Sequence, residues 1–386
     1  MGFDAAAYDA LTVEELRARG GLKWSRFGPG SFGAFVAEMD TGTAPAVRAA
    51  LQAAVAADGF GYLPPGPVAA MAEACAAWQR ERYGWSVAPA DVQPVADVLR
   101  GLEIVVEHLT TPGRPVILPT PAYMPFLDLP GLRGRERIDV PATRLDGRPT
   151  FDLDGIDAAF RAGGELLVLT NPHNPLGRVF TADELRGVCE VVERHGGRVF
   201  ADEIHAPLTY PGHQHVPYAT LSPTAAAHAV TAVSASKAWN LPGLACGQLI
   251  LSNDADRAAF AALPSAATHG ASPLGAVAAA AAYAYGGPWL DGVVEHLDGN
   301  RQALAPLLAE HLPDARFDLP EGTYLAWLDL RALGLGDHPA EVLRERTGVA
   351  LADGPLCGAP GRGHARLTFA TPRPVLVEMV RRLGRA

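Results

Sequence analysis

Between about residues 45 and 285, short apolar runs alternate with longer segments of helical character, the signature of βαβ units around a mainly parallel sheet. The spacing predicts strands over 116–119, 166–170, 198–201, 229–234 and 248–252, each followed by turn-forming or polar residues. A helix is predicted over 181–195, with Thr181 as N-cap and Glu184 completing a capping box. Polar clusters thus fall at strand C-terminal ends, where open α/β sheets bind ligands. Past about residue 286 the character changes to a long helix over 288–311, then strands near 322–329 and 365–369 with helices between and after. The expected fold class is α/β, with a large, mainly parallel-sheet domain over 45–285. Residues 1–44 and 286–386 are expected to form a smaller α+β domain. The longest apolar run, 276–285, is too short to span a bilayer and reads as a buried helix.

Composition narrows the class. The 386 residues are 48% hydrophobic and 19% charged, the profile of a compact enzyme rather than a disordered chain. A formal net charge of -10 and the lack of any run of Lys and Arg argue against nucleic-acid or membrane partners. Cys75, Cys189, Cys246 and Cys357 are far apart and show no metal-ligand spacing, so buried, reduced thiols are expected. The N-terminus shows no basic segment followed by an apolar one, and a cytoplasmic location is expected. Of 32 basic residues only Lys23 and Lys237 are lysine. Arginine would meet a need for surface charge, but only lysine's amine can form an imine with an aldehyde.

Four clusters could carry chemistry: T-N-P-H-N-P-L-G over 170–177, A-D-E-I-H over 201–205, S-A-S-K-A-W-N over 234–240 and A-R-L-T-F-A over 365–370. In that order and spacing they resemble the fold-type I, aminotransferase-like pyridoxal 5'-phosphate (PLP) enzymes of classes I and II. Within these the chain is most similar to the cystathionine β-lyase branch of the MalY/PatB type, over nearly its whole length.

The resemblance implies a PLP cofactor held as a Schiff base by Lys237, which later serves as base. Asp202 is the implied partner of the pyridine nitrogen, Asn174 and His205 are implied to serve the phenolic oxygen, and Tyr123 to stack on the ring. The implied phosphate site is Ala96, Asp97 and Val98 at a helix start, with Ser234 and Ser236. Tyr62 would reach the phosphate of a second subunit in a homodimer, and Arg366 would clamp the carboxylate of a small amino-acid substrate. Taken singly, Tyr62 and Tyr123 could be core or turn aromatics, Asn174 and His205 turn residues, and Arg366 a surface ion pair.

Three departures bear on function. Asp97 stands where relatives usually carry Gly or Ser, and its charge must be turned from a phosphate or contribute only backbone. Ala245 stands where many class I enzymes place an arginine, and 38–42 reads E-M-D-T-G in a segment near the substrate entrance. The implied activity is a carbon-sulfur β-lyase on cystathionine or another cysteine S-conjugate, releasing a thiol, pyruvate and ammonia. An aminotransferase and a specialised secondary-metabolic enzyme acting on an S-cysteinyl conjugate are the alternatives.

Overall fold

The computed structural model describes residues 2–386. Its larger sheet has seven strands in the spatial order Val92–Val95, Gly247–Leu251, Ala229–Val233, Arg198–Asp202, Leu166–Thr170, Val116–Thr120, Arg137–Pro141. Only Gly247–Leu251 is antiparallel to both of its neighbours; the run from Ala229–Val233 to Arg137–Pro141 is parallel throughout. Helices cover both faces, which explains why the central strands are apolar without alternation. Leu166 and Val168 enter a cluster with Leu102, Phe126, Phe200 and Leu249, whereas Leu167 and Leu169 enter one with Ile117, Phe180, Val188 and Val199.

All five strands expected in this region form, within a residue or so of the predicted ends. The helix Ala182–His195 begins with the predicted capping box between Thr181 and Glu184. The apolar run at 276–285 lies in helix Pro273–Tyr285, which packs against Pro65–Tyr83 and buries most of its alanines. Edge strand Arg137–Pro141 was not predicted, because it buries only Val140 fully and shows no continuous apolar run.

A second sheet of five strands runs Phe32–Ala34, Val349–Asp353, His364–Thr368, Leu325–Asp329, Arg316–Phe317. Phe32–Ala34 pairs in parallel with Val349–Asp353, so both ends of the chain contribute to it. One apolar cluster joins Trp78, Trp239 and Tyr283 to Leu325, Leu367 and Leu376, so packing is unbroken past residue 285. All four cysteines are free and buried. Among the described residues no helix is long and apolar enough to cross a membrane.

Candidate active site

The C-terminal ends of the parallel strands open into a cavity of about 170 Å³. Ala96, Asp97, Val98, Tyr123, Asn174, Asp202, His205, Ser234, Ser236 and Lys237 all line it. Arg366 lines an adjoining cavity of about 530 Å³ that shares Tyr123, Ala37 and Lys237 with the first. Tyr62 is elsewhere, fully exposed on the loop before helix Pro65–Tyr83.

Lys237 sits in the short helix Ala235–Ala238 that follows strand Ala229–Val233. Its Nζ donates to the carbonyl of Ala37 at 3.0 Å. Burial, reinforced by the Arg366 guanidinium, holds its pKa down to about 8, so a neutral amine is accessible near physiological pH. Asp202 ends strand Arg198–Asp202, buried, with its Oδ1 accepting the Ile204 N–H at 3.2 Å. Burial pushes its carboxyl up to about 7 against the opposing pull of that N–H and Lys237. An ionised Asp202 therefore calls for a cation in the cavity, as a protonated ring nitrogen would be.

His205 is fully enclosed, and burial, then Lys237 and Arg366, hold its pKa well below the ordinary imidazole value, so the ring is neutral. Its Nδ1 is buried without a partner, a polar atom left for a ligand. The Asn174 Oδ1 accepts from Arg366 Nη1 at 2.9 Å, which leaves the amide nitrogen as the side chain's donor toward the cavity. Arg366 Nη2 donates to the Phe35 carbonyl at 2.8 Å, while its Nε is buried without a partner. Arg366 is thus a buried cation that pairs with no carboxylate among the described residues, which sets aside the surface ion-pair reading. Tyr123 caps helix Met124–Leu132 and is held edge-on by Phe126, ring centroids 5.3 Å apart.

At the far end Asp97 is the N-cap of helix Val98–His108, its Oδ1 accepting the Arg100 N–H at 2.7 Å. The carboxylate is thereby committed to the helix, and the Val98 and Leu99 N–H groups of the first turn remain for an anion. The Ser234 hydroxyl donates to the Cys246 carbonyl at 2.9 Å and accepts the Ser236 N–H at 3.1 Å. Ser236 therefore carries the uncommitted hydroxyl of the pair. Ala245, lining the same end, has φ 46°, in the left-handed region that residues bearing a Cβ seldom adopt.

Sequence reasoning missed two residues here. Tyr324, buried just before strand Leu325–Asp329, donates its hydroxyl to the Ala37 carbonyl at 2.9 Å. Asn240 holds 39–41 in place: its Oδ1 accepts the Met39 N–H at 3.1 Å, and its Nδ2 donates to the Met39 and Thr41 carbonyls, each at 3.0 Å. Asn240 was visible as the last member of the 234–240 cluster, without a role. Tyr324 carried no signal.

Fold and site define a fold-type I, aminotransferase-like enzyme: residues 36–383 match the family model for aminotransferase class I and II, and the chain belongs to that family. It is 39% identical over 372 residues to the cystathionine β-lyase of Corynebacterium glutamicum, covering 96% of this chain and 98% of that one. A Corynebacterium diphtheriae crystal structure, provisionally assigned as a PLP-dependent β-cystathionase, superposes with a TM-score of 0.93 at 40% identity, covering 100% and 98% of the two chains. The PLP-bound C-S lyase of Staphylococcus hominis superposes with a TM-score of 0.88 at 26% identity, covering 95% and 96%. The resemblance read from the four sequence clusters is borne out.

Proposed function

We propose that this protein is a PLP-dependent carbon-sulfur β-lyase acting on cystathionine or another cysteine S-conjugate, with thiol, pyruvate and ammonia as products. The observation that carries the reading is the convergence of one amine, Lys237, with the buried Asp202 and the carboxylate-free Arg366 on two joined cavities. Full-length similarity to a cystathionine β-lyase supports the choice of reaction.

The residues present fit the cofactor. Lys237 supplies the amine for its aldehyde, Asp202 the anion for its ring nitrogen, Asn174 and the unpartnered His205 Nδ1 the contacts for its phenolic oxygen. Tyr123 would flank the ring, while Ala96, Asp97 and Val98 with Ser236 would hold the phosphate; Ser234 braces Ser236 by accepting its N–H. Bound PLP contributes an electrophilic carbon and an aromatic sink for the electrons left at Cα when its proton departs. Arg366 binds and orients the substrate carboxylate through Nη and the free Nε. With the cofactor bound, Lys237 Nζ would take the Cα proton of the substrate. Its depressed pKa keeps it able to do so near neutral pH. Loss of the Cβ–S bond then expels the thiolate.

On this reading residues 45–285 form the cofactor domain, and 1–44 with 286–386 the smaller one. Tyr62 and Phe60, both exposed, belong to a homodimer interface through which Tyr62 reaches the partner's phosphate site. The enzyme works in the cytoplasm on a free amino acid.

Aminotransfer is the competing outcome, sharing Lys237, Asp202 and Arg366. Purified holoenzyme is incubated with L-cystathionine and, separately, with an amino acid and 2-oxoglutarate. The lyase reading expects pyruvate and homocysteine in the first reaction and little glutamate in the second. No pyruvate from any S-conjugate overturns it.

A further inference from the structure

The cavity next to Lys237 and Arg366 does not end at the reacting atoms. It continues past Phe35 and Tyr123 to a mouth formed by Phe27, Leu356, Arg26 and Arg344. Phe27 stands edge-on to Phe35, ring centroids 5.0 Å apart, making an apolar wall. Both guanidinium groups lie against the Phe27 ring, Arg344 at 4.8 Å and Arg26 at 5.7 Å from its centroid. Neither pairs with a carboxylate among the described residues, whereas Arg144 and Arg331, at another surface cavity, are paired with Asp318 and Asp329. Glu341 and Asp353 line the same cavity, Asp353 paired with His338, but neither carboxylate comes within salt-bridge distance of these two guanidinium groups. Two cations against one aromatic ring, neither in a close ion pair, form a receptor for an anion.

We propose that Phe27, Arg26 and Arg344 form a distal subsite selecting S-conjugates whose sulfur substituent is an aliphatic chain ending in a carboxylate. This rests on the lyase reading. With the α-carboxylate at Arg366 and Cα beside Lys237, the sulfur substituent has the Phe35 and Phe27 wall to follow outward. Its methylene groups bury against the two rings, and its terminal charge meets Arg344 and Arg26. Arg366 and the distal pair would thus read the two ends of one dicarboxylic thioether.

The test compares S-(3-carboxypropyl)-L-cysteine with S-butyl-L-cysteine as substrates of wild-type, Arg344→Gln and Arg26→Gln holoenzymes. Wild type should favour the carboxylate-bearing conjugate in kcat/KM, by about tenfold for one charge-assisted contact. Arg344→Gln should remove most of that preference through KM, with kcat and the S-butyl reaction little changed. Arg26→Gln should remove a smaller part. The proposal fails if wild type shows no preference, or if Arg344→Gln lowers both reactions equally. Should neither compound yield pyruvate, the lyase reading falls. Calorimetric titration of both compounds into PLP-loaded Lys237→Ala protein, with and without Arg344→Gln, then decides the subsite by binding alone. Tighter binding of the carboxypropyl compound that depends on Arg344 sustains it, and equal affinities overturn it.

Discussion

Lys237 and Tyr324 donate to the same atom, the carbonyl oxygen of Ala37, at 3.0 Å and 2.9 Å. The amine at the centre of the site is thus positioned by a backbone carbonyl that a buried tyrosine holds from just before a strand of the other sheet. Tyr324→Phe keeps the ring and removes only the hydroxyl. The substitution should leave PLP binding intact and lower kcat about five- to tenfold, as loss of one buried hydrogen bond would. Visible absorbance and steady-state rates check it; an unchanged kcat would show that the shared carbonyl does not position Lys237.

Asp202→Asn should act in opposite directions on the two forms of the protein. Burial raises the folded carboxyl to about 7, so the folded chain holds this proton to a higher pH than the unfolded chain does. Without PLP, the group's contribution to stability is therefore lost as pH rises from the ordinary carboxylate range through about 7. At pH 8 the Asn variant, which has no charge to bury, should melt higher as apoprotein, by about 2 °C per kcal/mol relieved. As holoenzyme it should bind PLP more weakly and lose most of its activity. Differential scanning calorimetry with and without PLP, at pH 5 and pH 8, measures both effects. A lower apoprotein Tm at pH 8 would contradict the assigned cost.

The chain's other lysine has a different task. Lys23 is buried, with its Nζ 2.8 Å from Asp40 Oδ2 and 3.1 Å from the Ala370 carbonyl; Asp40 Oδ1 accepts the Trp24 indole N–H at 2.7 Å. Lys23→Met strands the Asp40 carboxylate in the interior and should cost about 3–5 kcal/mol. The double variant Lys23→Met with Asp40→Leu should recover part of it. Urea unfolding of both variants measures the cost and the recovery; a near-neutral single variant would refute the ion pair's structural role.

Much of this was legible in the sequence, for physical reasons that differ between elements. Strand Leu166–Thr170 and its parallel neighbours are buried on both faces and read as plain apolar runs. Helix Ala182–His195 announced its start because Thr181 and Glu184 satisfy the first N–H groups locally. Strand Phe32–Ala34 is only three residues long and finds its partner at Val349–Asp353, far along the chain, so no local pattern marks it. The site divides the same way. Lys237 and Asp202 lie just after or at the end of apolar strands, where side-chain identity points to chemistry. The Ala37 carbonyl is backbone and has no residue signature, and Tyr324 reaches it across 287 positions of sequence. Asp97 reads as unfavourable for a phosphate in sequence alone, because only the fold commits its carboxylate to capping helix Val98–His108.

The central claim is that Lys237 carries the cofactor, and a chain with only two lysines allows a direct measurement. Holoenzyme free of amino acids is reduced with borohydride, which fixes any imine as a stable secondary amine, and its peptides are mapped by mass. The account predicts one phosphopyridoxyl group on the peptide containing Lys237, none on that containing Lys23, and no label in Lys237→Ala. Label on Lys23, or an unlabelled chain that still releases pyruvate from an S-conjugate, would contradict it.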